Sequence, residues 1–250
     1  MSDKIQALDW KGYEGQDYEQ FWVGPGKKYL DEIEHLIVAR ALPGGEAMAD
    51  IGAGFGRLAN CYMGKYRKVN LVEPAGNLRQ VAQRNYGPAA SYHDASVTQL
   101  PFSSESLDAV LMVRVCHHLG DPTSALLEIH RVLKSGGTLV FNYSNKLNAK
   151  RILQWLLGRV PCPFNRDIEP YAQTLFGHHP CFVNDVLSKV GFEVIEQYGT
   201  GVMDKLVNAL PWLGRFIPPS LTRARLTGWL RLAPSQFIVA RKTDESAARL

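Results

Sequence analysis

At 250 residues, with 46% hydrophobic and 21% charged side chains, the chain can bury one full α/β core, and its composition excludes intrinsic disorder. No apolar run approaches the roughly 18 residues of a membrane-spanning helix. The polar start Met1-Ser2-Asp3-Lys4-Ile5-Gln6 lacks the apolar stretch of a secretory signal, so a cytoplasmic protein is expected.

Residues 1–26 are aromatic and glycine-rich (Trp10, Tyr13, Tyr18, Phe21, Trp22) and read as an N-terminal lid. A helix over Lys27–Ala41 ends at Pro43-Gly44-Gly45. A strand at Ala47–Ile51, a glycine turn and a helix over Arg57–Tyr66 follow. Then come a strand at Lys68–Val72 reaching Glu73, a helix over Ala75–Asn85 and a short strand at Ala89–His93 before Asp94. Leu107–Val113 is apolar almost throughout, as a strand covered on both faces requires. Pro122 opens a helix to Leu133, and Lys134-Ser135-Gly136-Gly137 turns into a strand at Thr138–Phe141. After a looser stretch, Val183–Val190 reads as a helix and Phe192–Tyr198 and Gln236–Arg241 as the last two strands. This alternation predicts a doubly wound, mostly parallel α/β sheet.

Two connections exceed what a sheet needs, 143–181 and about 199–234. The C-terminal one interleaves Met203, Leu206, Leu210, Trp212 and Phe216 with basic residues. From Lys205 to Arg231 there are five Lys/Arg and no acid, whereas residues 1–50 hold 5 basic and 10 acidic residues. Such a stretch suits an apolar acceptor or peripheral membrane contact through 203–231 as well as an ordinary helical cap. Cys61, Cys116, Cys162 and Cys181 show no Cys-x-x-Cys spacing and read as reduced thiols.

The chemistry begins at Asp50-Ile51-Gly52-Ala53-Gly54-Phe55-Gly56. Glycines after a strand let the backbone turn sharply and approach a ligand, and the carboxylate of Glu73 after the next strand can accept both hydroxyls of a ribose. A nucleoside-containing cofactor is expected. Dinucleotide sites use Gly-x-Gly-x-x-Gly; here the loop is Gly-x-Gly-x-Gly, led by Asp50, which would repel a phosphate and suit a cationic amino group. That argues against a nicotinamide-dependent oxidoreductase.

With Asp50–Gly56, Leu71-Val72-Glu73-Pro74, His93-Asp94-Ala95, Ser106–Val110 and Arg131–Gly137 in order, the chain resembles the class I, Rossmann-like S-adenosylmethionine (SAM)-dependent methyltransferases. Its flavour is nearest the bacterial ubiquinone and menaquinone methyltransferase-like group, over the cofactor half only. The resemblance implies a seven-stranded sheet with an antiparallel last strand and lid insertions in a single domain. Within it, 1–45 would be lid and helix, 46–142 the SAM core, and 143–181 with 199–234 the substrate cover. It implies that Asp50, Gly52 and Gly54 hold the methionine end of SAM, Glu73 the ribose hydroxyls, and Asp94 with Ala95 the adenine, with Ala53, Gly56 and Pro74 among the cofactor-binding residues. Arg114 and Tyr143 end their strands at the same edge and are candidates for contact with SAM or the acceptor, Arg114 being counted among the cofactor residues.

The expected reaction is methyl transfer from SAM to a small, hydrophobic or quinone-like acceptor, leaving S-adenosylhomocysteine. The alternatives are a non-catalytic SAM-binding protein or a methyltransferase acting on RNA or protein. Alignment and exclusion of water carry most of such a reaction. A base is required only where the acceptor loses a proton, and the candidates are His178 and His179, then His118 and His117 after the fourth strand. No metal site is expected, because His178, His179 and Cys181 lack a second spaced ligand pair. Neither is nucleic acid: Arg114-Val115-Cys116-His117-His118 is not the Pro-Pro-aromatic turn of amino-methylating DNA enzymes, Pro161-Cys162 lies in the wrong connection for a cytosine-methylating nucleophile, and a pI near 8.8 is mild.

Overall fold

A computed structural model describes residues 18–172, 175–212 and 231–244. Tyr18–Trp22 forms a single 3-10 turn. Helix α1 (Pro25–Ala41) starts on Pro25, whose missing N–H costs nothing there, and buries Tyr29, Leu30, Ile33, Ile37 and Val38 along one stripe. Strands β1 (Gly45–Ile51), β2 (Tyr66–Val72), β3 (Ser91–His93), β4 (Leu107–Met112) and β5 (Leu133–Ser144) follow, with α2 (Gly76–Tyr86) and α3 (Thr123–Val132) among them. Next come α4 (Ala149–Leu156), the small hairpin β6 (Glu169–Ala172) and β7 (Leu175–Gly177), α5 (Pro180–Val190), β8 (Phe192–Thr200), α6 (Asp204–Ala209) and β9 (Ser235–Lys242).

Seven strands form one sheet in the order β3-β2-β1-β4-β5-β9-β8. The first five are parallel, and β9 runs antiparallel between β5 and β8. This is the expected class I methyltransferase topology. Side chains alternate across the pleat. Val110, Met112, Leu139 and Phe141 pack under α3 and α5 with Leu126, Ile129, Val183 and Leu187, while Ala109, Leu111, Val140 and Val239 pack under α1 with Ile33, Ile37 and Tyr62. Asp108 has a structural role: its Oδ2 accepts from the N–H of Glu46 (2.9 Å) and Ala47 (2.8 Å), and Lys134 donates to Oδ1 at 2.6 Å. It clamps the start of β1 to β4.

The expected helix over Arg57–Tyr66 does not form. The chain there is a series of turns with one 3-10 turn at Ala59–Cys61, and Tyr66 already belongs to β2. Gly56 and Gly64 both sit at φ +82, outside helical space, and burial of Leu58, Ala59, Cys61 and Tyr62 fixes the turns. Lys134–Gly137 runs inside β5 rather than before it. The stretch after Tyr143 carries α4 and the β6–β7 hairpin, and α5 begins at Pro180. In the C-terminal connection α6 packs on the start of α1, where a Cβ on Gly26 would stand 2.2 Å from the Asp204 carbonyl oxygen. Most of the expected N-terminal lid (1–17) and residues 213–230 lie outside the described residues.

Candidate functional site

The glycine loop leaves β1 at the carboxyl edge of the parallel strands, where α/β sheets hold ligands. The N–H groups of Gly52 and Ala53 both donate to the Val72 carbonyl, at 2.8 and 3.2 Å, which folds the loop back over the end of β2. Gly52 (φ +69) leaves no room for a side chain, since its Cβ would meet Val115 Cγ2 at 2.2 Å. Gly54 (φ +57) differs: a Cβ there would find nothing within 4 Å, so its backbone faces open space that a ligand can approach.

Glu73 is buried in front of that opening. Its Oε2 accepts from Gly54 N–H at 2.8 Å and its Oε1 from Ala75 N–H at 2.9 Å, which aims the carboxylate and leaves lone pairs for further donors. Burial pushes its pKa up against the pull of these two N–H groups. Arg79 pairs with Asp94 at 3.0 Å and donates to the carbonyl oxygens of Glu73 and Pro74, so Glu73, Pro74 and Asp94, with Ala95 beside it, form one wall. Asp50 is buried near the end of β1, accepting from Tyr62 Oη at 2.6 Å. Burial raises its pKa to about 7, only partly opposed by Tyr62 and Arg57. A carboxyl held this way favours a cationic partner. The carboxylate acceptors and the Gly54 opening therefore fit a nucleoside carrying an ammonium group.

Arg114, placed by sequence among cofactor contacts, is engaged elsewhere in this arrangement. It follows β4 at φ +62, a left-handed non-glycine position. Its N–H donates to Asn142 Oδ1 at 2.6 Å, and its guanidinium pairs with Glu34 at 2.7 Å. Glu34, fully buried on α1, also takes Arg57 at 2.5 Å, and Arg57 reaches Asp31 as well. Trp22 lies against both guanidiniums, 3.8 Å from Arg57 and 4.6 Å from Arg114 to the ring centroid. Tyr18 meets Phe55 of the glycine loop edge-on at 6.4 Å. Glu34, Arg57 and Tyr62 were not singled out from the sequence, and Trp22 only as part of the expected lid. One signal was available: Glu34 is an acid inside the apolar stripe Leu30-Ile33-Ile37-Val38.

Of the histidines, His178 is fully buried, with Nε2 3.1 Å from the Cys116 carbonyl and the ring stacked near Phe182. A bond to a carbonyl puts the proton on Nε2 and leaves Nδ1, buried without a protein partner, as the free lone pair. Burial lowers its pKa, so the ring is neutral near pH 7. His179 serves as the N-cap of α5, its Nδ1 accepting from Cys181 N–H at 3.1 Å. His118 stands beside His117 after β4, ring centroids 4.3 Å apart. Burial, then His118, Arg114 and His178, hold His117 well below the ordinary value. Among the described residues no group of three or more His, Cys, Asp or Glu side chains could hold a metal.

Residues 49–141 match the family described as "Methyltransferase domain". The match covers less than half of the chain, from β1 to β5. The chain is 30% identical over 178 residues to the dimethylglycine N-methyltransferase of Parasynechococcus marenigrum, covering 60% of this chain and 64% of that protein. It is 33% identical over 113 residues to the demethylmenaquinone methyltransferase of Chlamydia felis, covering 44% and 49%. The chain thus spans less than two thirds of either relative. Among solved structures, the magnesium protoporphyrin IX methyltransferase of Synechocystis, with S-adenosylhomocysteine bound, superimposes with a TM-score of 0.63 at 13% identity, over 93% of this chain and 97% of that one. The methyltransferase domain takes SAM as its cofactor, and the glycine loop with Glu73 falls inside the matched segment. No helix among the described residues is long and apolar enough to cross a membrane.

Proposed function

We propose that the protein transfers the methyl group of SAM to a small, hydrophobic, quinone-like acceptor. The observation that carries this reading is the Gly54–Glu73 cradle, an open left-handed backbone beside a carboxylate already aimed by two N–H groups. The demethylmenaquinone methyltransferase relative supports the acceptor class. When bound, SAM supplies an electrophilic sulfonium methyl. Glu73 and Pro74 would hold its ribose, Asp94 and Ala95 its adenine, and Asp50 with the backbone of Gly52–Gly56 its methionine end. Arg114 would act from behind, by holding Glu34 and Trp22 against the loop. Tyr18–Trp22 and the connections 143–181 and 199–234 would cover the reacting centre and exclude water, which strengthens every polar contact inside. The 203–231 stretch would add peripheral membrane contact, and 213–230 of it lie outside the described residues. Incubation with SAM and cell extract, followed by mass spectrometry, should yield S-adenosylhomocysteine and a methylated small molecule. SAM binding with no turnover on any fraction would leave a non-catalytic SAM-binding protein; methylated RNA or protein would overturn the acceptor class.

For acceptors that must lose a proton, His178 is the proposed base, with His118 the second candidate and His179 third because its lone pair caps α5. His178→Ala should lower turnover about 100-fold or more, the scale of a positioned base, and leave SAM affinity within about twofold. Full activity in this variant would assign His178 to packing and pass the role to His118.

Asp50 makes SAM binding pH-dependent. The free protein holds a proton on Asp50 below about pH 7, and a cationic amino group beside it favours the ionised form. Binding therefore expels a proton, and affinity should rise with pH up to neutrality by as much as about tenfold per unit. Titration calorimetry between pH 5.5 and 7.5 reads this slope, and Asp50→Asn should flatten it. The same slope in both proteins would remove Asp50 from the site.

A further inference from the structure

The connection after β5 carries a helix whose apolar stripe faces outward. Ala149, Ile152, Leu153 and Leu156 fall at i, i+3, i+4 and i+7, the spacing of a buried helical face, yet α4 buries none of its residues. Leu153 is 57% exposed and Leu156 67%. Leu157 and Phe164 are exposed beside them, and Trp155 packs edge-to-face on Phe164 at 5.3 Å, which joins the following loop to the helix as one apolar surface. Exposed clusters of this kind mark contact surfaces, whereas single exposed leucines do not.

The charges around it select the partner. From Ile129 to Arg166 the chain has no acidic residue. Lys146 is buried and anchors the base of the segment through Asn165 and the Asp167 carbonyl, and Arg166 closes it on Asp185 at 2.7 Å. Between these anchors Lys150 and Arg159 are exposed, and Lys150, Arg151 and Gln154 occupy the side of α4 opposite the leucines. A second copy docking through the same face would bring like charges together with no acid of this segment to meet them. An anionic bilayer offers acyl chains to the leucines and headgroup charge to the cations, the arrangement of a helix lying in the membrane interface.

We infer that α4 and the loop through Phe164 form a surface that docks on an anionic lipid bilayer. This goes beyond the C-terminal contact proposed above, uses different residues, and stands whether or not the acceptor is quinone-like. It would set the insertion over the reacting centre at the membrane, where an apolar acceptor resides.

Sedimentation with phosphatidylcholine vesicles, with and without phosphatidylglycerol, tests it on the full chain. At low salt the protein should bind the anionic vesicles about tenfold or more over the neutral ones, each cation at the surface adding roughly fivefold. Leu153→Glu/Leu156→Glu should remove binding, and Lys150→Glu/Arg159→Glu the anionic preference, both with unchanged melting midpoints because these side chains make no core contact. A Leu206→Glu/Leu210→Glu variant, on α6 and just after it, should keep the preference. Absent or equal binding to the two vesicles, unchanged binding in the α4 variants, or loss only in the α6 variant would overturn the assignment. So would a concentration-dependent dimer that the α4 variant abolishes.

Discussion

Replacing Glu34 by alanine is expected to destabilise the fold by about 3–5 kcal/mol, the cost of breaking a buried ion pair by deleting one partner. The carboxylate is fully buried on α1 and is shared by Arg57 and Arg114, both mostly buried themselves. Burial alone would raise its pKa, but Arg114 and Arg57 outweigh it and hold Glu34 below its ordinary value of 4.5. A depressed carboxyl contributes stability that is present above the unfolded-state pKa and is lost as pH falls through the folded one. The wild type should therefore lose this contribution in acid, below about pH 4.5, and the variant should have lost it at every pH. Urea unfolding at pH 7 measures the difference. Glu32→Ala, exposed on the same helix, should stay within about 0.5 kcal/mol of wild type. A Glu34→Ala loss under about 1 kcal/mol would mean that the two guanidiniums turn to water and that the cluster does not hold Trp22 in place.

Glu73→Ala should act mainly on the cofactor. The side chain accepts from Gly54 and Ala75 N–H, so its removal frees the glycine loop and takes away the ribose acceptor together. Hydrogen bonds to a charged group contribute roughly 1.5–3 kcal/mol each, so loss of one to the ribose predicts SAM affinity weaker by roughly 10- to 150-fold. Glu73→Gln keeps the shape and one acceptor and should fall between. Calorimetry at pH 7, with the melting midpoint recorded alongside, separates lost binding from lost fold. Unchanged affinity in folded Glu73→Ala would place the ribose elsewhere.

The sequence by itself determined the sheet and its cofactor edge. The short apolar runs at Ala47–Ile51, Leu107–Val113 and Thr138–Phe141, set between glycine turns and helical patterns, read as buried strands, and the glycines after Asp50 mark a left-handed turn because no other residue takes that backbone cheaply. Asp108 stands at the head of an apolar strand, and the structure gives it three donors there, the N–H groups of Glu46 and Ala47 and the Lys134 ammonium. What the sequence misstated, the helix over Arg57–Tyr66, is a segment whose local propensity loses to its contacts. Arg57 turns to Glu34 and Asp31, Tyr62 to Asp50, and Gly56 lies under the ring of Tyr86, which would meet a Cβ at 2.6 Å.

Only the tertiary structure gave the partners of Arg114, His178 and His179. Residues 80 positions apart in sequence make the Arg114–Glu34 pair, and no periodicity encodes such a pairing. His178 and His179 are neighbours, yet one is buried on a carbonyl of another connection and the other caps the next helix. The outward face of α4 belongs to the same class. Its i, i+3, i+4, i+7 stripe is indistinguishable in sequence from a core helix, because the pattern records which side is apolar and leaves open what that side meets.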